Sequence, residues 1–160
     1  MTAVGDDLLA RLGSLGVEAE LLEPGVPMPT VPLAAAAIGV SESAIIKSVL
    51  FEDRAGRVVL AIANGPSRIS RPLLTLAFGA PKLWLASPGL VLEQTGFPAG
   101  GVSPVGHKVA IPVIVDAGVM REVWDYGGGG TEGALLKIQP TDIVRVTGAK
   151  IATIVEPIPT

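Results

Sequence analysis

The chain of 160 residues contains no cysteine. That excludes disulfides, thiolate nucleophiles and every zinc site built on Cys, and a single histidine, His107, excludes a His-rich metal site as well. Aromatic residues are scarce, with three Phe, two Trp and one Tyr, so aliphatic side chains must fill the interior. Cations are outnumbered: 12 Lys and Arg stand against 15 Asp and Glu, a net charge of −3. Such a chain does not grip nucleic acid by bulk charge, and a nucleic-acid partner would have to be held locally or with help. No window reaches the ~20 apolar residues of a membrane span. Residues 1–7 lack the basic stretch and apolar run of a secretory leader. The expectation is a cytoplasmic protein with no membrane partner, no metal and no other cofactor.

What is present suits a globular domain. Half the residues are hydrophobic (49%) and 17% are charged, enough for one core in a single domain over 1–160. The 20 glycines and 14 prolines predict many tight turns. Leu8, Leu9, Leu12 and Leu15 recur at helical spacing and predict a helix over 6–15, closed by Gly16. Thr30 and Ser70, each two residues before a proline, predict capped helices over 32–38 and from 70 to 78, stopped by Gly39 and Gly79. Further helices are expected over 88–94 and from Thr141. Strands are expected over 17–22, 45–52, 57–63, 83–86, 111–115, 123–126, 134–138 and 150–155, with residues 53–56 turning a hairpin. Strand and helix alternate without a regular βαβ period, which predicts a mixed α+β domain whose sheet curls around its core.

Two segments stand out chemically. Strand alternation in 45–51 puts Ile45, Lys47, Val49 and Phe51 on one face and Ile46, Ser48 and Leu50 on the other. An ammonium on so apolar a strand either snorkels to water or is held in a pocket, where it binds an anion or polarises a carbonyl. The second segment, 95–108, holds Thr95, Gly96, Phe97, Gly100, Gly101, Val102, Ser103, Pro104 and Gly106. Paired glycines expose backbone N–H groups, and fourteen residues without an element is long for a passive connector.

Two tempting readings fail. Ser103, His107 and Asp116 suggest a hydrolase triad, but the nucleophile elbow needs G-x-S-x-G, and Pro104 has no N–H to offer an oxyanion. His107 reads instead as a solvated loop residue. Asp116 ends an apolar strand, where it either caps the turn at Gly118 or, if strand ends converge, pairs with Lys47 or orients a ligand amine. Gly128-x-Gly130-x-x-Gly133 matches the dinucleotide fingerprint as a string, yet the apolar run after it is too short before Pro140 for the phosphate-binding helix. The glycines 127–130 read better as a second, flexible wall of a pocket.

With Lys47 and the Gly/Pro loop side by side, the sequence resembles the YbaK/ProX family of aminoacyl-tRNA deacylases, which includes the editing domain inserted in bacterial prolyl-tRNA synthetases. The resemblance runs from about Gly16 to Val155. Its most specific part is Thr95-Gly96-Phe97-x-x-Gly100-Gly101-Val102-Ser103-Pro104-x-Gly106, supported by Lys47, by 111–116 and by the late glycine run. It implies a single-domain α+β fold, with a strongly twisted, barrel-like mixed sheet flanked by helices. It also implies hydrolysis, without cofactor or metal, of the ester joining a wrong amino acid to a tRNA, here tRNA-Pro or a related tRNA carrying a small amino acid. The partner implied is the acceptor end of an aminoacyl-tRNA, with a synthetase as a further possible partner.

In the residues, the resemblance implies Lys47 and the segment Gly100, Gly101, Val102, Ser103 and Pro104 as catalytic, the N–H groups of Gly101 and Val102 holding the ester. Ser48, Thr95, Gly96, Phe97, Gly106, Asp116, Gly128, Gly129 and Gly130 are expected to bind substrate. Two departures stand against the family pattern. Ser48 replaces a threonine but keeps the hydroxyl, and Thr131-Glu132 stands where a basic residue or histidine is common. The second leaves open a non-catalytic aminoacyl- or partner-binding module on the same fold. A general esterase is a third reading, disfavoured by Pro104.

Overall fold

Four of the five helices are only eight residues long, too short to persist alone, and their ends are written into the sequence. In the computed structural model, which describes residues 3–157, α1 (Ala3–Ser14) precedes α2 (Val31–Ile38), α3 (Arg71–Phe78), α4 (Pro88–Thr95) and α5 (Pro140–Thr147). The hydroxyls of Thr30, Ser70 and Ser87 accept the N–H of Leu33, Leu73 and Leu90 at 3.2–3.3 Å, each cap being worth about 1 kcal/mol. Proline stands in the first turn of α2 to α5, and glycine in the left-handed conformation follows each of them. Met1, Thr2 and residues 158–160, which the 1–160 domain reading includes, lie outside the described residues.

The strands are β1 (Ala19–Leu22), β2 (Ile46–Glu52), β3 (Val58–Asn64), β4 (Trp84–Leu85), β5 (Val113–Asp116), β6 (Asp125–Gly128), β7 (Leu135–Ile138) and β8 (Lys150–Ala152). They form two sheets. The larger has the order β4-β2-β3-β5-β8, antiparallel from β4 to β3 and parallel from β3 to β8. The smaller, β1-β7-β6, is antiparallel throughout. The fold is thus a single-domain α+β arrangement with a mixed sheet, as expected. The barrel-like closure is not: the strands divide between two sheets, joined along β2 by one parallel bridge between Ile45 and Tyr126. Of two 3₁₀ turns, Ala117–Arg121 starts where the sequence offers Asp116 as a cap, and Asp116 is its N-cap; Glu42–Ala44 carries no sequence signal strong enough to be expected.

Alternation assigns each strand face. Ile46, Leu50, Leu60, Ile62, Val113 and Val115 meet Leu8 and Leu12 of α1, Val91 of α4 and Ile143 of α5 on one side of the large sheet. Phe51, Val59, Ala61 and Ile114 meet Leu74 of α3, Leu83 and Ile154 on the other. A third, smaller cluster joins Ala34 and Ala35 of α2 to Ile45 and Leu135. The β2–β3 hairpin is closed by Asp53, whose Oδ1 accepts N–H bonds from Ala55 and Arg57 at 2.9 Å. No helix among the described residues is long and apolar enough to cross a membrane.

Two buried aspartates shape the energetics in opposite ways. Asp116, at the end of β5, accepts the N–H of Gly118 (2.9 Å) through Oδ2 and that of Ile154 (2.8 Å) through Oδ1. It thereby ties the strand end to the segment after β8. Asp125, the first residue of β6, is fully buried, and neither carboxyl oxygen has a hydrogen-bond partner among the described residues. Burial, with Glu122 nearby, pushes its carboxyl up to about 8, so the folded protein holds a neutral acid where an ionised one would be costly.

The two residues predict separable behaviour. Asp116→Ala is expected to lower unfolding free energy in urea by about 2–4 kcal/mol, the loss of two hydrogen bonds to a buried charge. For Asp125 the native state keeps a proton that the unfolded chain releases near pH 4, so this residue makes stability fall as pH rises from about 4 to about 8. Asp125→Asn is expected to flatten that slope and to raise the urea midpoint at pH 8. Identical slopes for both proteins would refute the neutral acid.

Candidate active site

The site begins with a gap in hydrogen bonding. The Leu50 carbonyl accepts the N–H of Ala86 (3.0 Å), and the N–H of its cross-strand partner Leu60 reaches Pro112 (2.9 Å). This pair therefore turns its backbone groups away from the β2–β3 seam. By the strict alternation of a strand, Ser48 and Ile46 also direct their N–H and C=O away from β3. On that side β4 pairs only with Phe51 and Glu52, and the bridge to the smaller sheet is at Ile45. Between Leu50 and Ile45 the edge of β2 has no strand partner among the described residues, and a cleft of about 330 Å³ lies along it.

Its walls come from three parts of the fold. The entry to α2 supplies Met28, Pro29, Thr30, Val31 and Ala34, the edge strand supplies Lys47, Ser48 and Val49, and Gly100, Val102, Gly128, Glu132 and Leu135 close the opposite side. Lys47 and Ser48 project to opposite faces of β2 but both reach the cleft. The Lys47 ammonium donates to the carbonyls of Gly65 and Ser67. It does not snorkel; the loop after β3 holds it, and burial lowers its pKa from the ordinary lysine value. Among the described residues it has no carboxylate partner. An ammonium has three donors, so one remains beyond the two carbonyls. The Ser48 hydroxyl is buried and has no hydrogen-bond partner among the described residues.

Gly65 couples this lysine to the opposite wall. Its N–H donates to the Ile45 carbonyl at 2.6 Å, and a methyl group on it would stand 2.7 Å from both methyls of Val31. Glycine here lets the α2 entry close over the loop that carries the Lys47 acceptors.

The Gly/Pro loop is held rigidly from beneath. Thr95 is buried; its hydroxyl donates to the Val91 carbonyl (2.7 Å) and accepts the N–H of Phe97 (3.1 Å). Gly96 ends α4 in the left-handed region at φ 80°, Phe97 is buried in the main core, and Gly106 packs against Leu8 and Arg11 of α1. These four residues support the loop and do not line the cleft. Ser103 is fully buried, its Oγ accepting the N–H of Val105 at 3.2 Å, and Pro104 packs its ring against Gly127.

Of the segment singled out as catalytic, Gly100 and Val102 reach the cleft. The Gly101 N–H, expected to hold the ester, donates instead to the Pro98 carbonyl at 2.9 Å. The Val102 N–H has no acceptor among the described residues.

The late glycines are close-packed, which corrects their reading as a flexible wall. Gly127 and Gly128 end β6, Gly129 donates to Ala134 (3.0 Å) and Gly130 to Gly101 (2.9 Å). A methyl group on Gly128 would overlap the Val102 carbonyl, and one on Gly101 would stand 2.9 Å from the Thr131 nitrogen. Two backbones touch here, and only Gly128 of this run borders the cleft. His107 is likewise not a solvated residue. It is partly buried, meets Phe97 edge-to-face at 6.4 Å, and its Nε2 bonds the Ser103 carbonyl at 2.7 Å. Asp116 forms no ion pair with Lys47 among the described residues; it caps the turn at Gly118, and both its oxygens serve backbone N–H groups.

The wall formed by Met28, Pro29, Val31, Ala34 and Leu135, and the acceptor loop of Gly65 and Ser67, were not expected as site residues. The cap at Thr30 was a visible signal that a helix starts there, but nothing local says that its start faces Lys47. Among the described residues, no group of three or more acidic or histidine side chains is placed to hold a metal.

Comparison with known proteins follows the same lines. Residues 26–146 match the model of the aminoacyl-tRNA editing domain. An uncharacterized protein of Bacillus subtilis, YwhH, is 33% identical over 122 residues, 76% of this chain and 77% of its own. A proline–tRNA ligase of Thermotoga neapolitana is 34% identical over 109 residues, which are 65% of this chain but only 19% of the ligase. The crystal structure of a candidate trans-editing enzyme for prolyl tRNA synthetase superposes with a TM-score of 0.90 at 30% identity, covering 98% of this chain and 99% of that one. The hypothetical protein APE2540 does so with a TM-score of 0.84 at 37% identity over 92% of this chain and 98% of its own. By the extent of the family match and the shared fold, the chain belongs to the aminoacyl-tRNA editing domain family.

Proposed function

We propose that the protein is a free-standing deacylase that hydrolyses the ester of a mischarged aminoacyl-tRNA, tRNA-Pro or a related tRNA bearing a small amino acid. The observation that carries this reading is the edge of β2, where, among the described residues, an ammonium without a carboxylate partner adjoins backbone groups without a strand partner and a small apolar wall. Similarity to proline–tRNA ligases and to a candidate trans-editing enzyme supports the tRNA assignment.

An aminoacyl ester is already activated, so the site has to orient it, admit one water and stabilise charge on the carbonyl oxygen. The side chain of the amino acid fits against Met28, Ala34 and Leu135, where the limited room of the cleft favours small groups. The backbone N–H of Val102 and the edge N–H of Ser48 are the donors available to the ester. The remaining donor of Lys47 serves the terminal ribose or its phosphate. Water adds to the carbonyl carbon, the oxyanion collapses, the C–O bond to the ribose breaks, and the ribose oxygen takes up the proton that the water has lost. No side chain is assigned as general base; a ribose hydroxyl beside the ester is the nearest group of suitable chemistry. Thr95, Gly96, Phe97, Ser103, Pro104 and Gly106 act by holding Gly100 and Val102 in place, and Asp116 acts through the fold.

Lys47→Ala is expected to lower kcat/KM for release of the amino acid from a mischarged tRNA on the order of 100-fold, with Lys47→Arg recovering little because a planar fork does not fit two carbonyl acceptors set for an ammonium. A panel of labelled aminoacyl-tRNAs measures this, and clearance of none above background, with or without a synthetase, would leave the non-catalytic module as the better reading. Gly128→Ala is expected to displace the Val102 carbonyl and reduce turnover at least about tenfold, while thermal unfolding shows a folded protein. Unchanged turnover would remove the Gly100–Val102 wall from the mechanism.

A further inference from the structure

Lys47 borders a second cleft. Sharing Lys47 and Val49 with the first cleft, a groove of about 490 Å³ is lined by these two and by Phe51, Arg68, Arg71 and Leu85, among others. Its floor is apolar and its rim is cationic, in a chain whose net charge is negative. The Arg71 Cζ lies over the Phe51 ring, 5.9 Å from its centroid, which sets a guanidinium over an aromatic floor. Leu85 is 59% exposed beside it. Arg68 is exposed, its side chain at 84%, and among the described residues its ion-pair partner is Glu156, 3.8 Å away. An exposed pair at that distance is weak and readily exchanged for another anion.

This combination of flat apolar and cationic surfaces with flanking positive charge is what a single-stranded nucleic acid requires: a plane for a base to stack on and cations for the phosphates. We propose that the groove binds the unpaired 3′ end of the RNA, with the nucleotides preceding the terminal one lying along Arg71 and Arg68 while the terminal ribose crosses the β2 edge at Lys47. The proposal rests on the deacylase reading for the identity of the RNA. It explains how an acidic protein engages a polyanion: the positive groups are gathered where the strand enters, and Glu156 is the one carboxylate that must give way.

The test is fluorescence anisotropy with an uncharged, labelled single-stranded RNA ending in CCA, titrated at several salt concentrations. Replacing both arginines (Arg68→Ala with Arg71→Ala) is expected to weaken binding at least about tenfold and to reduce the slope of log K against log salt by about 1.4, two single-strand phosphate contacts. Glu156→Gln is expected to tighten binding. Arg71→Lys keeps the charge and loses the plane, so it is expected to retain the salt slope while weakening binding. Lys108→Ala, on another part of the surface, is expected to bind as the parent does, and circular dichroism shows whether each variant is folded. In hydrolysis, the double variant is expected to lose kcat/KM on aminoacyl-tRNA but not on an aminoacyl-adenosine ester. Wild-type affinity and slope in the double variant, or no RNA binding by the parent at low salt, would overturn the groove assignment. Arginine-dependent RNA binding without hydrolysis of any aminoacyl ester would instead keep the groove and overturn the deacylase.

Discussion

The arrangement depends on a strand edge left without a partner. A buried or half-buried backbone edge is normally paired, because each unmet N–H or C=O costs free energy. In this protein β4 is too short to cover β2 beyond Phe51, and the smaller sheet reaches it only at Ile45. The stretch between them therefore presents backbone donors and acceptors to whatever enters the cleft. The lysine on the same stretch is fixed by two carbonyls and, among the described residues, has no carboxylate partner, so its charge is not cancelled by an ion pair there.

Around that edge the glycines perform two different physical tasks. Gly101 and Gly128 allow two backbones to touch, which holds the Val102 segment at a set distance from β2. Gly65 allows the start of α2 to close over the loop that anchors Lys47. None of these positions needs an unusual backbone angle, since their φ values lie outside the left-handed region; what they need is the absence of a side chain. The 95–108 loop, whose paired glycines suggest exposed N–H groups, is thus built as a wall, with Ser103, His107 and Thr95 bonding it from behind.

The cost of such a site is visible elsewhere. Ser48 and Asp125 are buried polar groups without partners among the described residues, and unpartnered groups of this kind are expected near functional sites rather than in an optimised core. Ser48 borders the cleft, with its hydroxyl buried. Asp125 does not border it and is tolerated as a neutral acid. Asp116, by contrast, has both oxygens bonded and stabilises the junction between β5 and the chain after β8.

The amino-acid sequence alone determined the local structure and the chemical inventory. Ser or Thr, then Pro, then a late Gly mark helices because caps, fixed φ and left-handed termination act within one turn. Alternation assigned Lys47 and Ser48 to opposite faces of β2 because side-chain direction in a strand has period two. The absence of cysteine and the single histidine restricted the chemistry in the same direct way. Tertiary structure alone decided that the strands form two sheets instead of a barrel and that the Gly101 N–H faces Pro98 while that of Val102 has no acceptor among the described residues. It also decided that His107 faces inward and that the start of α2 stands opposite Lys47. Those outcomes rest on pairings such as Ala86 with Leu50 and Gly130 with Gly101, between segments roughly 30 residues apart. The direction of a hydrogen bond there depends on where the other segment lies, a relation that no local pattern encodes.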